Sequence, residues 1–242
     1  MCSLFYMGPN SLFLLLLLSA ASAQAADICN PTTLAGPYAF QLSGSTTISG
    51  TPKSTASLGR IIFDGTGSVT GTASATFSGL LLGNPVTGSY EAKPDCSVTW
   101  KLQDDSGAFQ NFSGTISTDG TRVLFRQADP GGAQRGIMEK IPDSCTPADL
   151  QKQYKFSVFG STTPVQSSEV PRKVSAEGTL DVTENGSFQV DGDCSVHFVL
   201  ALPPEPSPMT MRGFLVNGGK EILAFQTDPG AMVAARFISD TK

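Results

Sequence analysis

Histidine is almost absent from this sequence: His197 is the only one. A Ser-His-Asp triad would have to be built around that single residue, and no G-x-S-x-G elbow is present to carry the nucleophile. No C-x-x-C pair occurs, which argues against a thiolate zinc site, and no metal or other cofactor is expected. Phosphate-loop and dinucleotide fingerprints are missing too. Charge is scarce: Asp, Glu, Lys and Arg together make up 15% of the chain, and the formal net charge is −5. With no basic stripe, nucleic acid and anionic membrane surfaces are poor partners. What is plentiful is Gly (25) and Pro (16), a mixture that makes turns rather than amphipathic helices.

Only one long apolar run exists. Leu12 to Leu18 is nearly pure leucine and is followed by small residues up to Ala25. This reads as an export signal over residues 1–25, with cleavage after Ala25 or alternatively after Ala23. No Lys or Arg precedes the run, which is atypical of such signals; a membrane anchor is the competing reading, but the run is short for a bilayer. Removing the signal removes Cys2 and leaves Cys29, Cys96, Cys145 and Cys194. An even cysteine count in a secreted or periplasmic chain predicts a disulfide framework, with three pairings open at this point.

The chain repeats itself. C-N-P-T-T-L-A-G-P-Y-A-F from Cys29 and C-T-P-A-D-L-Q-K-Q-Y-K-F from Cys145 share Cys, Pro, Leu, Tyr and Phe at one constant offset. Asp95 to Val98 and Asp193 to Val196 both read D-C-S-V, and Asp129-Pro130-Gly131 recurs as Asp228-Pro229-Gly230. Each copy therefore has one opening and one middle cysteine, which favours Cys29–Cys96 and Cys145–Cys194. The predicted division is a first module over 26–142 and a second over 143–242, linked near Ile141 to Thr146.

Short β-prone runs cut by Gly, Asn and Asp fill both copies. The first copy predicts eight strands: Tyr38–Leu42, Leu58–Phe63, Ser68–Phe77, Val86–Ala92, Cys96–Leu102, Ala108–Ser117, Arg122–Gln127 and Gln134–Ile141. The second predicts about seven: Tyr154–Gly160, Lys173–Val182, Ser187–Val190, Cys194–Leu202, Met209–Val216, Glu221–Gln226 and Met232–Ile238. The fold class is thus all-β, as two tandem antiparallel up-and-down barrel-like modules, the second shorter by about one hairpin. A sandwich is the competing architecture. An odd strand breaks closure parity, so the second module is expected to be smaller, partly open, or packed by its edge on the first. The proline-rich stretch Pro203 to Pro208 reads as a stiff exposed loop.

The candidate residues follow from strand alternation. Val98, Trp100 and Leu102 share one face, and with Phe63, Tyr90 and Phe125 they form the expected inward set. Trp100, Phe63, Tyr90 and Phe125 are the candidates to line a ligand space. If they fill the barrel they are core instead, and the Thr-, Ala- and Gly-rich third strand favours a filled core around Trp100. Tyr38 and Tyr154 open the modules while Arg135 and Arg236 lie on the last strands, so a Tyr–Arg latch closing each barrel is predicted. His197 is expected to face solvent. The aspartates beside Gly, Pro and Ser are expected to cap turns rather than to act as a glycosidase pair or bind calcium.

Gly36-Pro37-Tyr38, a late Asp-Pro-Gly turn and a last-strand Arg resemble a loose lipocalin (calycin) layout, in which an opening G-x-W packs on a late Arg; Tyr stands here for Trp, and Lys152 stands where the first copy has Gly36. Phe63 to Gly67, Gly88 to Tyr90, Asp95-Cys96 and Thr227 to Gly230 resemble more closely a family of small secreted bacterial proteins of unknown function. Their modules carry G-x-Y-x-F, F-D-G-x-G, D-C and T-D-P-G, and the resemblance implies no activity. The functional expectation is therefore architectural: a secreted or periplasmic, non-enzymatic repeat protein binding a small apolar molecule. The alternative is an envelope or extracellular module with a filled core whose outer surface binds protein or glycan. A barrel enzyme of the isomerase or cyclase kind is a third possibility and would need polar residues converging inside.

Overall fold

The structure is a computed structural model that describes residues 29–240 apart from 49, 78–79, 164–171, 185 and 202–207. The expected export signal and most of the proline-rich loop lie outside the described residues. No described helix is long and apolar enough to cross a membrane.

The first module has β1 (Gly36–Ile48), β2 (Thr51–Phe63), β3 (Ser68–Phe77), β4 (Leu80–Ala92), β5 (Ser97–Asp104), β6 (Phe109–Ile116), β7 (Arg122–Gln127) and β8 (Arg135–Lys140). Each pairs antiparallel with the next, and β8 returns to β1 to close an eight-stranded barrel. The second module has β9 (Gln153–Thr162), β10 (Arg172–Asp181), β11 (Gly186–Val190), β12 (Ser195–Leu200), β13 (Met209–Val216), β14 (Glu221–Gln226) and β15 (Ala231–Ile238). These form a seven-stranded sheet in the order β10-β9-β15-β14-β13-β12-β11, with β10 and β11 as its edges. The all-β, two-module expectation is what the structure has. Gly88 to Cys96 and Gly186 to Cys194 share G-S, D-C and an aromatic third residue, so β11 stands for the end of β4 and, among the described residues, nothing stands for β3. The missing hairpin is the reason the second sheet stays open.

Disulfides Cys29–Cys96 and Cys145–Cys194 tie each module's opening to its middle turn. In both turns the second cysteine sits at positive φ, 63° at Cys96 and 67° at Cys194. Next to each opening cysteine a short 3₁₀ turn, Pro31–Leu34 or Pro147–Asp149, crosses the end of its module. The opening tyrosines anchor there: Tyr38 donates its hydroxyl proton to Gly120 O, and Tyr154 donates to Gly219 O at 2.6 Å. Gly120 and Gly219 occupy matching places and both have positive φ, 70° and 81°. A Cβ on Gly219 would come within 2.0 Å of Asp149 O, so glycine is demanded twice over, by conformation and by space. Burial pushes the phenol of Tyr38 up to about 12, with the charge of Asp119 adding to it, and burial does the same for Tyr154.

Aspartates cap the turns as expected. Asp64 accepts from the backbone amides of Thr66, Gly67 and Ser68, Asp104 from those of Ser106 and Ala108, and Asp95, Asp119, Asp181 and Asp193 make shorter versions of the same turn. Asp129 and Asp228 do something else. Each reaches back to the strand before the one it follows, β6 or β13, accepting from the amide of Asn111 at 2.9 Å or of Thr210 at 2.8 Å.

The modules meet face to wall, not edge to barrel. The outer surface of β1, β2 and β8, carrying Ala39, Leu58 and Ile137, shares one apolar cluster with Leu223 and Phe225 of β14. Gln41, buried on the outer side of β1, donates to the carbonyls of Ala224 and Ala235 at 2.5 and 2.7 Å. This is why β14 and β15 read as nearly unbroken apolar runs: both of their faces are covered.

Candidate ligand-binding site

The barrel is filled at its disulfide end and hollow at the other. Leu34 of the 3₁₀ turn is fully buried against this lower core. Above it Tyr38 and Phe63 meet edge to face at 5.6 Å, and Phe63 and Tyr90 at 4.7 Å. Trp100 stacks on Phe112 at 5.3 Å and meets the edge of Phe125 at 4.9 Å. Two glycines make this packing possible. The ring of Phe40 lies across Gly59 and that of Phe125 across Gly136, where a Cβ would sit 2.4 and 2.6 Å from ring carbons.

Beyond this aromatic layer a cavity of about 710 Å³ opens to the end where β5 and β7 finish and β6 and β8 begin. Its apolar wall includes Phe40, Leu42, Val86, Leu102 and Phe112, with Ala73 and Ala75 leaving space on β3. Its polar lining includes Ser57, Asn84, Asp104, Gln110, Gln127 and Asp129. Gln127 is held in a network: its Nε2 donates to Thr46 Oγ1 and Asp129 Oδ2, both at 3.2 Å, and its Oε1 accepts from Gln134 at 2.8 Å. Asn84 bridges to Asp104 at 3.3 Å. The Ser106 hydroxyl, foremost, and the amides of Ala108 and Ser106 hold the Asp104 carboxyl below its ordinary range. At the rim Leu80, Leu81, Leu82 and Phe109 are exposed, Leu80 by 70%.

The structure places the expected inward set inside the barrel: Phe63, Tyr90, Val98, Trp100 and Phe125 are all buried. None of Trp100, Phe63, Tyr90 and Phe125 lines the cavity. They form its floor and the packing beneath, because they lie nearer the disulfide end of their strands. The lining sits farther along the same inward stripes, at Phe40 and Leu42 after Tyr38 and at Leu102 after Trp100. That continuation at period two was legible in the sequence. The lengths of β1, β2 and β4, which build the mouth, were not, because Ser43 to Thr47 and Leu80 to Pro85 do not alternate between apolar and polar residues.

The Tyr–Arg latch takes another form. β1 and β8 are indeed neighbours, but Arg135 faces outward and is exposed, whereas Tyr38 faces inward. The cation near the Tyr38 ring is Lys140, 5.9 Å from its centroid. Arg236 is on the outer face of β15 and pairs with Glu221. One position of alternation separates the two faces, so these tyrosines and arginines cannot stack.

His197 is exposed, as expected, with Asp191 Oδ2 3.9 Å away. It lies on the wall of a second hollow of about 520 Å³ on β11–β13, beside Phe188, Met211 and Arg212. Among the described residues no group of three or more His, Cys, Asp or Glu could hold a metal ion. No protein-family model matches this chain, and no curated protein matches it either.

Proposed function

We propose that this is an exported, non-enzymatic binding protein whose first barrel holds one small apolar molecule in its open end. The observation that carries this reading is the cavity of about 710 Å³ above the packed aromatic floor. Small-molecule sites occupy roughly 300–1,000 Å³ and are mostly apolar with a few placed polar groups, and an eight-stranded barrel has room for one such ligand. The apolar rim of Leu80, Leu81, Leu82 and Phe109 offers an entry surface on which a poorly soluble ligand can land. Two disulfides fit an oxidising compartment, periplasmic or extracellular. The calycin-like layout belongs to the same proposal.

The test is binding of N-phenyl-1-naphthylamine, a neutral apolar fluorophore, to the mature two-module protein. Saturable one-to-one binding is expected, and Ala73→Phe, which fills the cavity from β3, is expected to abolish it while the protein stays folded. Unchanged binding by the filled variant would place the ligand elsewhere.

A further inference from the structure

The cavity has a sign. Among the described residues, Asp104 and Asp129 are the only charged ones that line it, and no Lys, Arg or His does. Lys101 comes near the rim only through Phe109, over whose ring its Nζ lies at 4.1 Å. Both carboxylates are fixed in place. Asp104 accepts from Ser106, Ala108 and Asn84, and Asp129 from Asn111 and Gln127. They put oriented negative charge at the mouth of a largely apolar cavity.

The cavity also offers neutral polar groups. Ser57 on β2 and Gln110 on β6 both line it, and Ser57 is only 7% exposed. A hydroxyl and a carboxamide beside the apolar wall are the kind of groups that hydrogen-bond a ligand head.

Resting on the reading of this cavity as a binding site, we infer that its ligand is an apolar molecule with a non-anionic, hydrogen-bond-donating head, an alcohol or an amine rather than a carboxylic acid. The apolar part lies against Leu42, Val86, Leu102 and Phe112. The head hydrogen-bonds with Ser57 and Gln110 under the field of Asp104 and Asp129. A carboxylate there faces two like charges with no cation in the lining.

The experiment displaces bound N-phenyl-1-naphthylamine from the mature protein with three ten-carbon competitors, 1-decanol, decylamine and decanoate, at pH 7.5 and low salt. Decanol and decylamine are expected to compete at least about tenfold better than decanoate. Added salt should narrow that gap by screening the carboxylates. Ser57→Ala should weaken decanol several-fold more than it weakens the fluorophore, which carries no hydroxyl head. Decanoate competing as well as decanol at low salt would overturn the head-group inference and leave the binding site standing. A fluorophore that never binds, or that none of the three displaces, would overturn the binding site itself.

Discussion

Arg122 of the first barrel places its Nη2 3.0 Å from Glu221 Oε2 of the second module, while its Nε pairs with Glu139 on its own β8. Glu221 in turn holds Arg236, so two carboxylates and two guanidiniums form one chain across the module boundary. Both carboxylates are almost fully buried. Burial, then the nearby charge of Glu221, pushes Glu139 up to about 7 against the pull of Arg122.

That shift has a definite pH consequence. An acid whose folded pKa is raised binds its proton more tightly when folded, so its contribution to stability is complete below its unfolded value near 4.5 and is lost as pH rises through about 7. The loss over that window is roughly 3 kcal/mol. Glu139→Gln keeps the shape without the ionisation. Urea unfolding at pH 5 and pH 8 is expected to show wild-type stability falling between the two and the variant nearly level. A variant curve as steep as wild type would remove Glu139 as the cause.

The modules are expected to differ in independence. Residues 26–142 contain a closed barrel with its own disulfide and should fold alone in an oxidising compartment. Residues 143–242 should not stay monomeric, because Leu223 and Phe225, both fully buried here, lie in the apolar cluster shared with the first barrel and would lose that cover. Analytical ultracentrifugation of the two fragments checks both statements. An unfolded first fragment, or a monomeric folded second one, contradicts the account of the interface.

This asymmetry separates what local sequence encodes from what only docking of the two modules creates. Matching Cys, Tyr and Asp-Pro-Gly positions were enough for the repeat, the pairing of cysteines and the missing hairpin, because covalent closure and turns depend on local chemistry. Leu124 and Leu223 occupy equivalent places on β7 and β14, yet Leu124 is 60% exposed and Leu223 is buried. The difference was written in their neighbours: R-V-L-F-R-Q alternates, E-I-L-A-F-Q does not. The ion chain could not be read this way, since Arg122 and Glu221 meet only through the docking of two separately folded sheets. The cavity escaped for a related reason: strand alternation tells which residues face inward, not how far along the barrel they stop filling it.

Each disulfide should contribute comparably. Cys29–Cys96 and Cys145–Cys194 close separations of 67 and 49 residues. Chain entropy assigns each about 4 kcal/mol. Paired Cys→Ser replacement in either module, followed by denaturant unfolding, should destabilise that module by an amount of this order; a change under about 1 kcal/mol would contradict it.

Trp100 should behave as core. It is 4% exposed and packed between Phe112 and Phe125. Its emission is expected to be blue, and Trp100→Ala to cost roughly 3–5 kcal/mol. Because Phe112 is shared between Trp100 and the cavity wall, a ligand should shift that emission slightly through its neighbour rather than quench it by contact. Emission typical of an exposed indole would contradict the packing described here.

The most direct measurement is methyl-resolved NMR of residues 26–242 during titration with 1-decanol. Saturable shifts are expected at Leu42, Val86 and Leu102, smaller ones at the rim leucines Leu80, Leu81 and Leu82, and none at Leu223 or Val196 in the second module. Shifts confined to the second module, or no saturable shift at the three cavity residues, would contradict the claim that the open end of the first barrel is a binding site.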